Sequence, residues 1–294
     1  MNHQSQRRKF FKMGSLGLAA GALGASAMSI LDSRRAAAQS SPRSLLRTVL
    51  DRGHIMVGTG STNAPWHFED EAGKLVGMDV AMARILAKGL FDDESKAQFV
   101  LQDPSQRIPN IAAGKVDIVI QFMTMTPQRA QLVAFTQPYF AESMALLGNA
   151  DGNKNTFQAL LAGEAGTKVS VLQNVDAELL VRKVLPKAQV LQLDTLVNVI
   201  QALDSRRVDA AAVNLSAVRW MVKRTPNRYA DAGKSWYTML YGAALRQGDP
   251  DWLEFVNTAF NVAMRGHQND IYDKALNDYF GLAPPLRQPG FPTL

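Results

Sequence analysis

The sequence predicts an α/β protein of two lobes, each built on a mostly parallel sheet that is flanked by helices. Short apolar runs alternate with segments of helical periodicity from residue 44 onward, which is the pattern of parallel α/β units. The order helix, basic turn, Val-Asp and strand occurs twice, around residues 114–117 and 206–209. Two amphipathic helices near the end of the chain have no sheet of their own, so we expect them to pack on the first lobe.

The first half of the chain contains the signals of one lobe. Leu45 to Arg52 has helical spacing and is followed by Gly53, a typical helix stop. An alternating segment at 66–70, a turn and a return at 75–77 predict a hairpin. Further strands are predicted at 54–58, 98–101 and 116–120, and further helices at 79–89 and 105–113.

The second half repeats this alternation and then adds the terminal helices. Apolar runs bounded by turn residues predict the strands, and helical periodicity predicts the segments between them. The strands are predicted at 168–172, 189–193, 208–213 and 241–245, and the helices at 177–184, 196–204, 252–264 and 271–279.

We expect the chain to pass between the lobes near residues 141–143 and 237–240. Lobe 1 would then comprise residues 44–141 and 239–294, and lobe 2 residues 142–238. Two such crossings can act as a hinge, and ligands of open α/β sheets bind outside the carboxyl ends of the strands. The sequence therefore predicts a ligand-binding cleft between two hinged lobes.

The first 38 residues have the anatomy of an export signal. They contain six basic residues and one acid, and so hold +5 of the net charge of +6. A basic start and a Gly- and Ala-rich stretch lead to Ala36-Ala37-Ala38. Arg7-Arg8 before Phe-Phe-Lys resembles a twin-arginine signal, with a membrane anchor as the alternative. We expect cleavage after Ala38, a twin-arginine signal peptide at residues 1–38 and a periplasmic protein.

Composition removes several function classes. The chain after residue 38 carries a charge of only +1, so it lacks the clustered basic residues that nucleic-acid binding requires. It contains no cysteine, and its four histidines are scattered singly. Dinucleotide, phosphate-loop and nucleophile-elbow motifs are also missing. We therefore expect no cofactor, no metal and no enzyme activity, and a monomer.

The segment QFMTMTPQR at 121–129 follows a predicted strand of lobe 1 and should open on the cleft. Thr126 can cap a helix that Pro127 begins. Arg129 then lies in the first helical turn, where the helix dipole disfavours a cation. Its guanidinium and the hydroxyl of Thr124 could instead hold a carboxylate; a solvated arginine beside an ordinary cap is the alternative.

Three further polar residues lie near strand ends. Arg107 begins a helix after a strand and could be either a ligand contact or a surface arginine. Asp176, in Gln173-Asn174-Val175-Asp176, could cap a helix or face the ligand. Asn214 follows a strand of lobe 2, where turn chemistry is the alternative.

These motifs together resemble the periplasmic solute-binding proteins of ABC importers for polar amino acids, extracellular solute-binding protein family 3. The resemblance covers nearly all of the chain after the leader. It rests on Ala64-Pro65-Trp66, Gly73 to Asp79, Arg107-Ile108-Pro109, Gly114 to Asp117, Thr124 to Arg129 and Phe135 to Phe140.

The resemblance implies two lobes that close on one ligand and deliver it to an ABC permease in the inner membrane. Arg129 and Thr124 would hold the α-carboxylate of an amino acid or a related small carboxylate, and the backbone at Phe122 would help hold the α-ammonium. In members that bind acidic or amide side chains, an arginine at the position of Arg107 faces the ligand. Asn63, Trp66, Val175, Asp176 and Asn214 match further ligand-binding positions.

The sequence departs from this family at the ammonium subsite. Asn214 stands where members usually place an aspartate, and Phe122 replaces a small hydroxyl residue. Either Asp176 supplies the missing negative charge, or the ligand lacks a free α-amino group. An alternative function is an enzyme on the same fold, a dehydratase acting on a cyclic prephenate-like acid, with Asp176 or Glu142 as the acid. A sensory domain that acts on a kinase is a third possibility.

Overall fold

The computed structural model describes residues 43–173, 177–287 and 290, apart from the side chain of Glu164. The predicted signal peptide at 1–38 lies outside the described residues. So do Val175 and Asp176, two of the predicted ligand-binding residues.

The first sheet has five strands in the order β5-β1-β6-β13-β7. Strands β5, β1 and β6 are parallel, and β13 pairs antiparallel with β6 and β7. A small antiparallel sheet, β2-β3-β4, is formed by the residues between β1 and β5 along the chain. The strands of the two sheets are β1 Ile55–Thr59, β2 Thr62–Asn63, β3 His67–Glu69, β4 Leu75–Val76, β5 Ala97–Leu101, β6 Ile118–Val119, β7 Ala134–Phe135 and β13 Ala244–Leu245.

The second large sheet repeats the plan in the order β10-β9-β11-β8-β12. Strands β10, β9 and β11 are parallel, while β8 and β12 are antiparallel to their neighbours. Four strands of each large sheet therefore run in one direction, and one strand, β13 or β8, runs in the opposite direction between two of them. The strands of the second large sheet are β8 Phe140–Asn149, β9 Lys168–Leu172, β10 Gln189–Leu193, β11 Ala210–Asn214 and β12 Tyr229–Tyr241.

Eight of the ten described helices lie at positions that the sequence predicts, with shifts of a few residues at their ends, while the helices at Phe157–Ala162 and Leu215–Arg224 were not predicted. Within the described residues they are α1 Leu45–Arg52, α2 Met78–Phe91, α3 Arg107–Ala112, α4 Pro127–Ala130, α5 Phe157–Ala162, α6 Ala177–Arg182, α7 Leu196–Asp204, α8 Leu215–Arg224, α9 Pro250–Arg265 and α10 Asp270–Ala275. A π-helical turn at Leu276–Phe280 extends α10.

The terminal helices α9 and α10 pack on the first sheet. Trp252, Val256 and Phe260 of α9 share one hydrophobic core with Val57 of β1 and Leu86 of α2. All five are buried. The lobe that contains the first sheet is therefore assembled from both ends of the described chain.

The two Val-Asp turns of the sequence have the same structural role. Asp117 accepts a hydrogen bond from the backbone N–H of Met56 at 2.7 Å and also pairs with Arg52. Asp209 accepts one from the N–H of Lys168 at 2.8 Å and one from Lys154 at 3.1 Å. Each aspartate ties the start of a neighbouring parallel strand to its own strand, so the two sheets share a local device as well as a strand order.

The predicted strand at 241–245 is wrong as a single unit. Tyr241 ends β12, and β13 begins only at Ala244. The residues between donate their backbone N–H groups to loops: Gly242 to the Met123 carbonyl at 3.2 Å, and Ala243 to the Thr136 hydroxyl at 3.0 Å. These tertiary hydrogen bonds interrupt the strand pairing at this point.

Candidate functional site

Tyr241, at the end of β12, lies at the centre of the predicted site residues. Its ring contacts Trp66 and Phe122, with centroid distances of 5.1 and 6.0 Å. Asn214, at the end of β11, donates from Nδ2 to the Tyr241 hydroxyl at 3.2 Å. Thr124 forms an isolated β-bridge with Tyr241. One tyrosine that the sequence reasoning overlooked thus brings together four of the predicted residues.

Phe122 has an unusual backbone conformation, with a φ of 35°. Positive φ is uncommon and strained for a bulky residue other than glycine, so surrounding contacts must hold it. Its N–H donates to Asp79 Oδ2 at 2.9 Å. Its ring stacks on His67 at 5.0 Å and lies under the Arg107 guanidinium at 4.9 Å.

Asp79 holds Phe122 and its neighbours in place through hydrogen bonds. In addition to the N–H of Phe122, its carboxylate accepts hydrogen bonds from His67 Nδ1 and from the Tyr139 hydroxyl, both at 2.8 Å. Asp79 and His67 are fully buried, and Tyr139 is 2% exposed. Burial and the Asp79 charge raise the pKa of Tyr139 well above its ordinary value. A buried carboxylate with three donors is a satisfied structural element.

Glycine at position 77 lets the β2–β3–β4 hairpin approach α2 and so brings His67 to Asp79. Gly77 has a φ of 126°, and a Cβ there would lie 2.2 Å from the Trp66 carbonyl oxygen. That oxygen instead accepts the N–H of Asp79 at 2.9 Å. A side chain at this position would push the hairpin away from the helix.

Arg129 and Thr124 are adjacent, as the sequence predicts. Thr126 caps α4 by accepting the N–H of Arg129 at 3.3 Å, and Pro127 is the first helical residue. Arg129 then turns back, and its Nη1 donates to the Thr124 carbonyl at 2.7 Å. No carboxylate pairs with this guanidinium within the described residues. Its remaining donors are available to an anion.

Arg107 is the most unusual charged group of the site. It is only 6% exposed, and its Nε has no hydrogen-bond partner. Burial and then the nearby charge of Arg129 lower the pKa of its guanidinium. Thr59 Oγ1 and His67 Nε2 are also buried without partners. A buried polar atom without a partner costs free energy, so three such atoms around the end of the first sheet indicate a place for a ligand.

A second polar network connects Trp66 with Glu142 through Ser216. Trp66 is 3% exposed and donates from Nε1 to Ser216 Oγ at 3.1 Å. Ser216 Oγ donates to Glu142 Oε2 at 2.5 Å. Glu142 Oε1 accepts the N–H groups of Ser143 at 2.8 Å and Ser216 at 3.3 Å. Burial raises the pKa of Glu142 in spite of these donors.

The other predicted residues are less connected. Asn63 lies in β2, where it pairs through its backbone with His67, and no described hydrogen bond involves its side chain. The Trp66 ring packs against other aromatic rings, including Phe140 and Phe280, with centroid distances of 4.8 and 5.4 Å. The ligand contacts of Asn63 and Trp66 stay predictions.

Sequence reasoning missed Asp79, Tyr139 and Tyr241. Asp79 stands in the first turn of α2, where an acid is an ordinary helix feature, and both tyrosines resembled core residues. The available signals were the Gly73–Asp79 motif, which contains Asp79, and the Phe135–Phe140 motif, which contains Tyr139.

Within the described residues, no group of three or more His, Asp or Glu side chains could hold a metal ion. A search of the same residues for a helix that is long and apolar enough to cross a membrane found none.

Three comparisons identify relatives of the chain. The sequence model of the bacterial extracellular solute-binding proteins, family 3, matches residues 55–281. The glutamine-binding protein GlnH of an ABC transporter from Bacillus subtilis (strain 168) is 25% identical over 244 residues, 82% of this chain and 88% of GlnH. The histidine-binding periplasmic protein of Salmonella typhimurium (strain LT2) is 27% identical over 235 residues, 77% of this chain and 87% of that protein.

Among solved structures, the ancestral cationic amino acid solute-binding protein AncCDT-1 is similar to this chain with a TM-score of 0.69 and 29% identity. The similarity covers 81% of this chain and 100% of AncCDT-1. The predicted fold class, two α/β lobes, is thereby confirmed. Because the family model covers most of the chain, the protein belongs to the bacterial extracellular solute-binding proteins, family 3.

Proposed function

We propose that this protein is the substrate-binding component of an ABC importer, which captures an amino acid or a related small carboxylate between its lobes. One observation carries the proposal: the Arg129 guanidinium donates to the Thr124 carbonyl at 2.7 Å but has no carboxylate partner among the described residues. An arginine presents paired N–H donors that match a carboxylate. The named ligands of its relatives, glutamine and histidine, contain such a group.

Capture would involve closure of the two lobes about the segments that join them. We infer lobes of residues 44–141 with 239–294 and of residues 142–238. Strands β8 and β12 run through the boundaries and pair with each other. Binding favours a closed arrangement only as far as that arrangement adds contacts with the ligand. Residues from both lobes meet at Tyr241, so a ligand that touches this cluster could add such contacts.

The other proposed ligand contacts are Phe122, Arg107, Asn214, Asn63, Trp66, Val175 and Asp176. Phe122 and Arg107 are the best supported of these, because the ring and the guanidinium contact each other beside Arg129. We do not propose the dehydratase alternative: the described contacts of Glu142 are all with protein donors, and the relatives named above are binding proteins.

We further propose a periplasmic location, because the histidine-binding relative is periplasmic, and export by a twin-arginine signal at residues 1–38. Changing Arg7 and Arg8 to lysine should leave the protein in the cytoplasm, as measured by cell fractionation, with Arg34→Lys as the control. We also propose that the protein delivers its ligand to a partner permease and that it is a monomer. Light scattering of the purified protein tests whether it is a monomer.

The test of the proposed function is ligand binding by Arg129→Ala. A thermal-shift screen of amino acids and small carboxylates identifies binders, since a ligand at 100 times its dissociation constant stabilises by about 2.7 kcal/mol. Loss of Arg129 should weaken binding by roughly two to three and a half orders of magnitude, because a buried carboxylate is left unpaired. Unchanged affinity for the best ligand, measured by calorimetry, would refute this site.

A further inference from the structure

Arg107 and Arg129 of the cleft form no ion pair within the described residues. Arg107 is 94% buried, with an exposed fraction of 6%, and no described hydrogen bond or ion pair involves its guanidinium. In addition to burial, the charge of Arg129 lowers the pKa of the Arg107 guanidinium, by more than the charge of Asp79 raises it. A guanidinium has five N–H donors and cannot shed its charge by deprotonation in a protein. Two such groups together favour a ligand of opposite charge.

The contact with Phe122 does not satisfy Arg107. The guanidinium carbon lies over the ring, 4.9 Å from its centroid. This cation–π contact contributes a modest attraction. It gives the N–H donors no hydrogen-bond acceptor, so an incoming carboxylate can still form two hydrogen bonds with the guanidinium.

The two buried acids described around this site, Asp79 and Glu142, already accept hydrogen bonds from protein groups. Asp79 accepts from His67, Tyr139 and Phe122. Glu142 accepts two hydrogen bonds from Ser216 and one from Ser143. Both acids are at most 1% exposed. Within the described part of the chain, neither is free to pair with a ligand ammonium group.

The groups at the end of β11 are poor partners for an ammonium as well. Asn214 is neutral, and its Nδ2 donates to the Tyr241 hydroxyl. An ammonium consists only of donors and needs acceptors. The hydroxyl oxygen of Tyr241 already accepts one hydrogen bond, and the nearby Arg107 and Arg129 repel a second cation.

We propose that the physiological ligand is a small dicarboxylate without a protonated amine, with one carboxylate bound by Arg129 and the other by Arg107. The assignment rests on the proposed function, because it takes the Arg129 subsite as given. It adds a second carboxylate and removes the amine, which distinguishes this ligand from the amino acids named for the relatives. Phe122 lies against the Arg107 guanidinium and would pack against the carbon chain.

Calorimetry with matched pairs tests the proposal on the full mature chain, after unfolding, dialysis and refolding to remove any ligand that co-purified. The probes are succinate, glutarate and adipate, each against its 2-amino counterpart, L-aspartate, L-glutamate and L-2-aminoadipate. Butyrate serves as the monocarboxylate control. We expect one dicarboxylate to bind about 10-fold or more tightly than its 2-amino counterpart and than butyrate.

Two variants assign the contacts. Arg107→Met keeps the length of the side chain and should weaken the best dicarboxylate by about 30-fold or more, while Arg206→Met, an exposed arginine paired with Asp151, should leave it unchanged. Asn214→Asp places a negative charge beside Tyr241 and should shift the preference toward the 2-amino counterpart.

Tighter binding of the 2-amino compounds, lost in Asp176→Asn, would overturn the proposal and assign the ammonium to Asp176. Failure of every dicarboxylate, with Arg129-dependent binding of a neutral amino acid, would overturn it and leave the proposed function intact. Dicarboxylate binding that is independent of Arg107 would also overturn it. Binding that is independent of Arg129 in every case would refute the proposed function itself.

Discussion

Asp79 and Arg107 are both buried and both contact Phe122, yet they are in opposite states. The Asp79 carboxylate accepts three hydrogen bonds from protein groups. The Arg107 guanidinium has an aromatic ring 4.9 Å from its central carbon and an unpartnered Nε. A buried charge with all its partners belongs to the fold, while one without partners costs stability unless a ligand completes it. By this contrast, Asp79 is part of the structure that supports the site, and Arg107 is part of the surface that binds the ligand.

The largest effect on this contrast is expected from removing the Asp79 charge, which has all its hydrogen-bond partners. Asp79→Asn replaces one carboxylate oxygen by an NH2 group, which would face either the Tyr139 hydroxyl at Oδ1 or both His67 and the Phe122 N–H at Oδ2. We expect a loss of about 3–5 kcal/mol in the free energy of unfolding, since a buried network loses its central partner. Urea unfolding measures it, with the exposed Asp151→Asn as control, for which a change within about 1 kcal/mol is expected. An equal loss in both variants would contradict a structural role for Asp79.

Ser216 tests whether the network around Glu142 is also structural. Ser216→Ala leaves the Trp66 Nε1 donor without its acceptor and takes one donor from Glu142. A loss of about 1–3 kcal/mol in unfolding free energy follows from these two unmade hydrogen bonds. The matched control is Ser205→Ala, an exposed serine that bonds the end of its own helix, expected to change stability by about 0.5 kcal/mol or less.

The pH dependence of stability sharpens the contrast at Glu142. Burial raises its pKa above the ordinary 4.5, so the folded state keeps a proton that the unfolded state has lost. Stability from this group is therefore present below pH 4.5 and is lost as the pH rises through the folded pKa. The advantage of the wild type over Glu142→Gln should fall with rising pH, by at most about 1.4 kcal/mol per unit.

Unfolding curves of both proteins at successive pH values measure this difference. Tyr241 and Arg219 are the other titratable groups that act on Glu142 or are affected by it. Tyr241 does not titrate in that range, because burial raises its pKa above the ordinary value for tyrosine. A pH-independent difference would contradict the effect of burial on Glu142.

Local sequence signals predicted part of this site well. The cap at Thr126, the helix start at Pro127 and the position of Arg129 depend on neighbouring residues, and all three are observed. The alternation of strands and helices predicted the two lobes for the same reason, because periodicity is a local property.

The Asp79 cluster was not predictable in this way. Its partners lie 12, 43 and 60 residues away in the sequence, and only tertiary folding brings them together. Tyr241 likewise gains its central position from the pairing of β12 with β8. The missing partner of Arg107 is also a tertiary property, since the sequence shows which donors exist but not which acceptors reach them.

The most direct test of this account is the unfolding free energy of Arg107→Met without ligand, after refolding to remove any bound molecule. Methionine keeps the packing on Phe122 and removes the unpaired charge. We predict a stability within about 1 kcal/mol of the wild type, or higher, because the lost cation–π contact is offset by relief of the buried charge. A loss of about 3–5 kcal/mol, as expected for Asp79→Asn, would show that Arg107 serves the fold and would contradict its assignment to a ligand.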